Sequence, residues 1–388
     1  MGYKQRGHLD IEPSASSENN PQTLNLFWRG FLLLACLYLF LVGIGGMGAS
    51  FKLFGQEVSQ NLIEATASPI TGLFIGILAT ALVQSSSTTT SMVVAVVAAG
   101  GLTLQGAIPI IMGANIGTAV TCTLVSMGHL AQKKEFQKAF AAACLHDWFN
   151  LLAVAILFPL EMVTGILSRL ASALSEAFAN AGGLQLANPL KATTEPFVAQ
   201  LSDLAGDQAA VLLVFSVGLM VGMLLCIVKI LRSLMEARIK AVLDDYLFRN
   251  AVTAMLVGLV FTLLVQSSSV TTSLMIPLAA TGALTLTQIF PYVIGANFGT
   301  TCTAILAAMA TGNPTAVTVA FAHLLFNIFG ALCIWPWPKV RAVPVRLAEW
   351  LAGKAMGSRL VPVAFILIVF VIVPLLFTWS TVREAFSR

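Results

Sequence analysis

Residues 83–121 and 265–303 carry one sequence twice. With no gap, the two stretches agree at 20 of 39 positions. They share VQSSS, a TTS at 89–91 and 271–273, LTL runs, Pro109 and Pro291, and GANxGT at 113–118 and 295–300. Gln84 aligns with Gln266, and Asn115 with Asn297, both at an offset of 182. His146 and Asn150 match His323 and Asn327 at an offset of 177, the first half having the longer loop HLAQKKEF where the second has TGNP. A duplication on this scale demands two related halves that are completed against each other.

Both copies sit in surroundings too apolar for a soluble chain. Residues of the AVILMFWYC set make up 57% of the sequence and DEKR only 10%, with a mean hydropathy of +0.88. A soluble domain carries roughly 25% charged residues. Apolar blocks cover 27–48, 69–99, 106–128, 139–160, 209–231, 251–281, 288–310, 315–338 and 360–380. Crossing a hydrocarbon core of about 30 Å takes roughly 20 helical residues. The blocks 69–99 and 251–281 are too long for one crossing and carry QSSSTTTS and QSSSVTTS in their middles. The arm Pro69–Val83 would be about 22 Å long as a helix. Each of these blocks therefore reads as a re-entrant hairpin with its serines at the tip, and seven full crossings remain. The first, Phe27–Gly48, is a retained anchor and not a cleaved leader.

The expected fold is an all-α integral membrane protein of two inverted-topology repeats, each with a re-entrant helical hairpin and a broken transmembrane helix. The divisions are a disordered cytoplasmic tail at 1–25, a first repeat at 26–160, an external loop at 161–208 and a second repeat at 209–338. An interfacial segment, with Trp350 among basic residues, and a C-terminal crossing fill 339–388. With the N-terminus inside and the C-terminus outside, Lys and Arg divide 16 to 5 in favour of the cytoplasm, which fits a plasma (bacterial inner) membrane. The net charge of +4 is small and scattered, and gives no reason to expect nucleic acid. Six cysteines in apolar segments, with no CxxC, predict reduced thiols.

Polar backbone at membrane depth is tolerated only when buried in protein or lining a cavity. GANIGT and GANFGT, each with two glycines and an Asn, read as breaks in discontinuous helices. Helix N-termini exposed there present unpaired N–H groups and partial positive charge. Hydroxyl, amide and carbonyl oxygens suit a small hard cation such as Na⁺, and the same groups as donors suit an oxyanion. Among acidic residues only Asp147 lies clearly inside a membrane block, and neither hairpin nor broken helix contains Lys or Arg. A proton antiporter would normally place several carboxylates at mid-membrane. The sequence contains no nucleophile–base pair, transition-metal cluster or Walker loop, so an enzyme is not expected.

VQSSSTTTS with GANIGT, and VQSSSVTTS with GANFGT, resemble the duplicated signature of the type II sodium–phosphate cotransporters. HDWFN and HLLFN, which follow the two signatures, resemble that family too, and the likeness covers about residues 30–380. It implies sodium-driven import of inorganic phosphate, with Na⁺ as coupling ion and no other cofactor. It also implies that the QSSS segments and helix breaks hold phosphate and sodium. The expected phosphate ligands are Gln84, Ser85, Ser86, Ser87, Gln266, Ser267, Ser268 and Ser269. Those for sodium are Gln84, Thr89, Thr90, Ser91, Asn115, Thr118, Gln266, Thr271, Thr272, Ser273, Asn297 and Thr300. The chain departs from the animal members in its short, Cys-free 161–208 region, and Gly100-Gly101 stand where electrogenic members have an acidic residue.

Other roles weigh against these. His146 and His323, each at i, i+4 from an Asn, suit an interhelical hydrogen bond better than a proton relay. Asp147, opposite Leu324 in the repeat, is expected in structural pairing ahead of ion coupling. Cys122, Cys302 and the GIGGMG run at 43–48 read as packing features. Import of another oxyanion, such as sulfate or a dicarboxylate, is the nearest alternative. An intramembrane enzyme, a phosphate receptor and a channel are further ones. The sequence leaves the oligomeric state open, a homodimer included.

Overall fold

A computed structural model describes residues 21–379 except 119, 207 and 247–249, and their side chains except at 21–26, 184–188 and 232–246. Every element among these residues is helical. The expected tail falls outside them up to residue 20, and Pro21–Asn25 already belong to the first helix. Seven helices are long and apolar enough to cross a membrane: Phe27–Ala65, Leu104–His129, Lys133–Thr164, Ala209–Leu231, Leu286–Thr311, Pro314–Ile334 and Leu360–Trp379. These are the seven expected crossings.

The first repeat begins with α1 (Pro21–Ala65), bent at Gly55, whose φ is +84°. The hairpin arms are α2 (Pro69–Val83) and α3 (Ser86–Ala98). α4 (Leu104–Gly117) and α5 (Val120–Ser126) follow, then α6 (Lys133–Thr164). The second repeat starts with α9 (Ala209–Tyr246) and has hairpin arms α10 (Ala251–Val265) and α11 (Ser268–Ser273) with α12 (Met275–Thr281). It ends with α13 (Leu286–Thr311) and α14 (Pro314–Ile334). Between the repeats lie α7 (Ile166–Asn180) and α8 (Gly183–Leu204), and after them α15 (Pro338–Gly357) and α16 (Leu360–Leu367).

Each hairpin is docked along the long helix that follows it, α2 along α4 and α10 along α13. The GANxGT glycines make this possible. A Cβ on Gly113 would fall inside the Leu73 carbonyl oxygen, and one on Gly295 inside that of Met255. Seen from the other helix, a Cβ on Gly76 or Gly258 would collide with the carbonyl of Ile110 or Tyr292. Small residues are what let membrane helices approach to backbone contact.

The expectation that GANxGT breaks both helices is corrected for the second repeat. α13 runs unbroken through GANFGT from Leu286 to Thr311. α4 ends at Gly117, so in the first repeat the helix stops within GANIGT, with Thr118 as its last capping residue. Two helix-interior glycines cost about 1 kcal/mol each, but here they are held by the arm packed against them. The second repeat is interrupted instead within its hairpin, at Leu274, whose N–H bonds back only three residues to the Thr271 carbonyl (3.3 Å).

Residues 161–208, read from sequence as a loop, fold as the helices α7 and α8. Gly165 turns the chain with φ +61°, and the buried Glu161 caps α7 by accepting from the amides of Leu167 (2.6 Å) and Ser168 (3.2 Å). α7 rests on α14 through an edge-to-face contact of Phe178 with Phe321 (5.6 Å), and Ser175 bonds the Pro314 carbonyl (3.3 Å). α8 rests on α1, where Tyr38 donates to the Thr193 carbonyl (2.8 Å). α15 lays Ala348, Leu351, Ala352 and Ala355 against Phe136, Phe140 and Cys144 of α6 and leaves Trp350 exposed.

Candidate substrate and cation site

The two hairpin tips have nearly the same backbone. Gln84 and Gln266 end their first arms with φ 56° and ψ 25°. Among the described residues they alone combine a side chain with positive φ. This left-handed conformation costs a residue with a Cβ roughly 1 kcal/mol or more, and such strain collects at functional positions. The next residues are extended, Ser85 at φ −150° and Ser267 at φ −152°. Each then caps a new helix, Ser85 accepting from Thr88 N (3.2 Å) and Ser267 from Val270 N (3.3 Å). An N-cap of this kind contributes about 1 kcal/mol. It leaves the amides of Ser86 and Ser87, and of Ser268 and Ser269, without intrahelical partners at a positive dipole end.

The tips meet. Ser87 Oγ lies 3.5 Å from the Gln266 carbonyl oxygen, across 179 residues of chain. Ser269 Oγ lies 3.4 Å from the carbonyl of Thr118, where the first repeat is interrupted. Cys122 Sγ is 3.0 Å from Thr272 Oγ1. Ser86, Ser87, Ser268 and Ser269 are buried, Ser85 and Ser267 half-buried, and Gln84 exposed. The expected phosphate residues of the two halves therefore adjoin in one region.

Most of the expected sodium hydroxyls donate within their own helices. Thr90 bonds Ser86 O (2.8 Å), Ser91 Ser87 O (2.8 Å), Thr272 Ser268 O (2.7 Å) and Ser273 Ser269 O (2.6 Å). Thr271 bonds Ser267 O (2.9 Å), Thr118 Ala114 O (3.0 Å) and Thr300 Asn297 O (2.6 Å). Thr89 bonds Ser85 O (3.1 Å) and faces Thr80 Oγ1 (3.0 Å). A hydroxyl that donates in this way keeps lone pairs, so these oxygens stay competent to coordinate a cation.

Asn115 and Asn297 lie elsewhere, in a buried network that stitches the repeats together. His146 Nε2 meets Asn297 Oδ1 at 2.6 Å, and Asn297 Nδ2 donates to Asn150 Oδ1 at 2.7 Å. Asn150 and Asn327 donate to the backbone carbonyls of Asn115 (2.8 Å) and Asn297 (3.1 Å), each within its own half. His323 Nε2 lies 3.5 Å from Asn115 Oδ1. The histidines thus make the interhelical bonds expected of them. Asp147 is wholly buried, with the Cys144 thiol beside its carboxylate and no ion pair among the described residues.

Sequence reasoning missed Thr303, whose hydroxyl bonds Gln266 Oε1 (2.5 Å), and Tyr292, which donates to the Thr271 carbonyl (3.2 Å). Thr121 and Thr303 are among the identical positions of the repeat, and that coincidence was the available signal.

The family model for the Na⁺/Pi-cotransporter matches residues 39–187, which run through α7 into the start of α8, and 218–342. The chain belongs to that family. It is 33% identical to the sodium-dependent phosphate transport protein 2A of Ovis aries, over 88% of this chain and 66% of the relative. It is 32% identical to protein 2A of Rattus norvegicus over the same shares, and 32% identical to protein 2B of Homo sapiens over 89% and 64%. The chain thus spans just under two thirds of the length of these relatives. No solved structure matches it.

Proposed function

We propose that the protein is a sodium-coupled symporter that imports inorganic phosphate across the plasma (bacterial inner) membrane by alternating access. The observation that carries this reading is the meeting of two QSSS tips, each a capped helix start with free amides and buried hydroxyls. No Lys or Arg occurs in α2–α5 or in α10–α13. A phosphate between the tips is held by hydrogen bonds and helix dipoles, and co-bound Na⁺ offsets its charge. The hydroxyl and Gln oxygens at 84–91 and 266–273 supply ligands of the right hardness for Na⁺. Those of Thr118 and Thr300 are of the same kind, and Asn115 and Asn297 support them through the network.

Three candidate spans separate the hairpins: Leu104–His129, Lys133–Thr164 and Ala209–Leu231. An odd number of crossings opens the hairpins to opposite faces, the inverted arrangement common in secondary transporters. The basic residues favour a cytoplasmic N-terminus, which puts α7 and α8 outside. A cysteine at Ser202 then reacts with an impermeant thiol reagent added to intact cells, and one at Ala241 does not. The reverse pattern would swap the faces of the hairpins.

The deciding measurement is phosphate uptake into vesicles of purified protein. Uptake requires an inward Na⁺ gradient, rises sigmoidally with Na⁺, and is not supported by K⁺. Equal uptake from a proton gradient without sodium would overturn the coupling and return His146, His323 and Asp147 as proton carriers. Competition by sulfate or a dicarboxylate at equal strength would point to the other oxyanions.

A further inference from the structure

The tips contain no cationic side chain, so the first fixed positive charge that an incoming anion meets lies farther out. Among the described residues, the charge division places Lys52, Arg169 and Lys191 on the outer face. Two of these three converge on one cavity. It has a volume of about 190 Å³ and lies at the open end of the first hairpin, between α1, α3, α8 and the end of α13. Its walls are small side chains: Gly48 and Ala49 of α1, Ala98 and Ala99 of α3, Ala310 and Thr311 of α13. Its charged lining is Lys52, Lys191 and Glu195. Lys191 Nζ lies 3.5 Å from Glu195 Oε1, whereas Lys52 is exposed and makes no ion pair among the described residues.

A route joins this cavity to the tips. Ser87, Ser91, Ala95 and Ala98 lie on one face of α3, about 16 Å from end to end. Thr303, Ala307 and Ala310 lie on one face of α13, which packs against α3. Both faces end at the second tip, where Ser87 Oγ approaches the Gln266 carbonyl and Thr303 bonds Gln266 Oε1. Between cavity and tips, Val94, Ala304 and Ala307 have no exposed surface, so the route is shut at that level in the arrangement described.

The base of the second hairpin differs in charge. Gly282 ends α12 with φ +81°, as Gly100 follows α3 with φ +83°. The cavity beside Gly282, about 420 Å³ in the seam of α6, α12 and α15, has one lysine, Lys138, and one glutamate, Glu349. The cavity of the first hairpin thus carries one positive charge in excess, and that of the second carries none.

We propose that the cavity between α1, α3, α8 and α13 is an outer antechamber for phosphate, in which Lys52, with Lys191 beside it, gathers the anion before the route to the tips opens. A cleft lined by an excess of one sign raises the local concentration of its counter-ion and the rate at which it enters. Exposed lysines do this without a tight hold, which suits a stop on a path. The neutral cavity at the other hairpin gives the anion no reason to linger on leaving. The antechamber rests on the import reading and the orientation above, and it names the residues that set the rate of entry.

The test measures uptake of radiolabelled phosphate into right-side-out vesicles at low ionic strength. The double variant Lys52→Gln, Lys191→Gln should lose about tenfold in uptake at limiting phosphate, while uptake at saturating phosphate holds. Lys52→Gln alone should account for most of the loss, because Lys191 is shared with Glu195. Lys52→Arg should keep the parent rate, and Glu195→Gln should raise it. All these differences should shrink as choline chloride is added at fixed sodium, since salt screens exposed charges. Variants equal to the parent at low ionic strength would overturn the proposal. So would a loss that persists at saturating phosphate and high salt, the mark of a packing role. An effect on efflux alone would overturn it too, by putting the cavity on the inner side. A parent that needs no sodium, or that carries sulfate in place of phosphate, yet keeps the salt-sensitive dependence on Lys52, retains an oxyanion antechamber and loses the sodium–phosphate reading.

Discussion

The two hairpins share one backbone but not one set of bonds. In the second repeat, the Gln266 side chain donates to the Leu263 carbonyl and accepts from Thr303. In the first, Gln84 is exposed and the Thr121 hydroxyl has no partner. The central network is lopsided in the same way. Asn297 is held at 2.6 Å by His146 and reaches Asn150, whereas Asn115 turns back to the Ile111 carbonyl (3.1 Å) and leaves Asn327 Oδ1 unpartnered. Helix continuity alternates too, with α3 whole and α4–α5 interrupted in one half, and α11–α12 interrupted and α13 whole in the other. The Gln, Thr, His and Asn residues of these pairs are identical in the two halves, so their own chemistry cannot choose which half closes; the helix interruption at Leu274 differs in sequence, because Pro277 stands where the first repeat has Ala95. At those side chains the asymmetry is a conformation, and each half has the residues to take the other's arrangement. A transporter that alternates access needs that property.

Docking of the hairpins is the part of the comparison expected to be equal, and breaking it has the largest effect. Gly113→Ala and Gly295→Ala each place a Cβ against a backbone carbonyl, which no rotamer change relieves. Both should lose about 1–3 kcal/mol or more of stability, read as a large fall in melting temperature and in yield. A tolerated Gly295→Ala beside a failing Gly113→Ala would show that the hairpins dock differently.

Substrate binding should also be shared, with a smaller effect. Ser86→Ala and Ser268→Ala each remove one hydroxyl and keep the amides. A hydrogen bond to a charged group contributes about 1.5–3 kcal/mol, so apparent phosphate affinity should weaken roughly 10- to 100-fold in each. Ser86→Trp and Ser268→Trp should abolish uptake while the protein still reaches the membrane. If changes at Ser86 act and those at Ser268 do not, phosphate is not held between two tips.

The halves should separate at the asparagines. Asn297→Ala strands His146 and Asn150, two buried partners, whereas Asn115→Ala loses its bond to Ile111 and a 3.5 Å approach to His323. A stranded buried polar group costs about 1–3 kcal/mol, so thermal unfolding should come earlier for Asn297→Ala. Equal losses would mean that the protein in solution samples both arrangements evenly.

Much of this was legible in the sequence because the forces involved are local. A QSSS in the centre of an over-long apolar block can only be a hairpin tip, and seven blocks of spanning length give seven spanning helices. α7 and α8 were missed because their apolar residues are spaced along one face, as in Leu167 and Ala171, and form no continuous run. The break in α13 was misplaced because Gly295 was judged by intrinsic propensity, which packing against Met255 overrides. The pairing of His146 with Asn297 spans 151 residues, and the complete burial of Asp147 depends on the other helices packed against α6. Neither can be read from spacing along the chain.

The smallest expected effect is at the glutamines, and it tests the exchange most directly. Thr303→Val removes one bond in a half-buried setting, worth about 1 kcal/mol, and Gln266→Ala removes that bond together with the one to the Leu263 carbonyl. Each should lower the melting temperature slightly, and the double variant should lose no more than Gln266→Ala alone, because Thr303 acts only through the bond they share. Gln84→Ala and Thr121→Val should leave stability unchanged, since that bond is open here. Uptake should not follow this order. If the halves trade arrangements in each cycle, the Gln84–Thr121 bond forms in the opposite state, and removing it raises that state relative to the one described. Gln84→Ala should then slow phosphate uptake to an extent similar to Gln266→Ala, at unchanged melting temperature. Uptake unaffected by Gln84→Ala would show that the second repeat's closed arrangement is permanent, and that the difference between the hairpins belongs to the fold and not to the cycle.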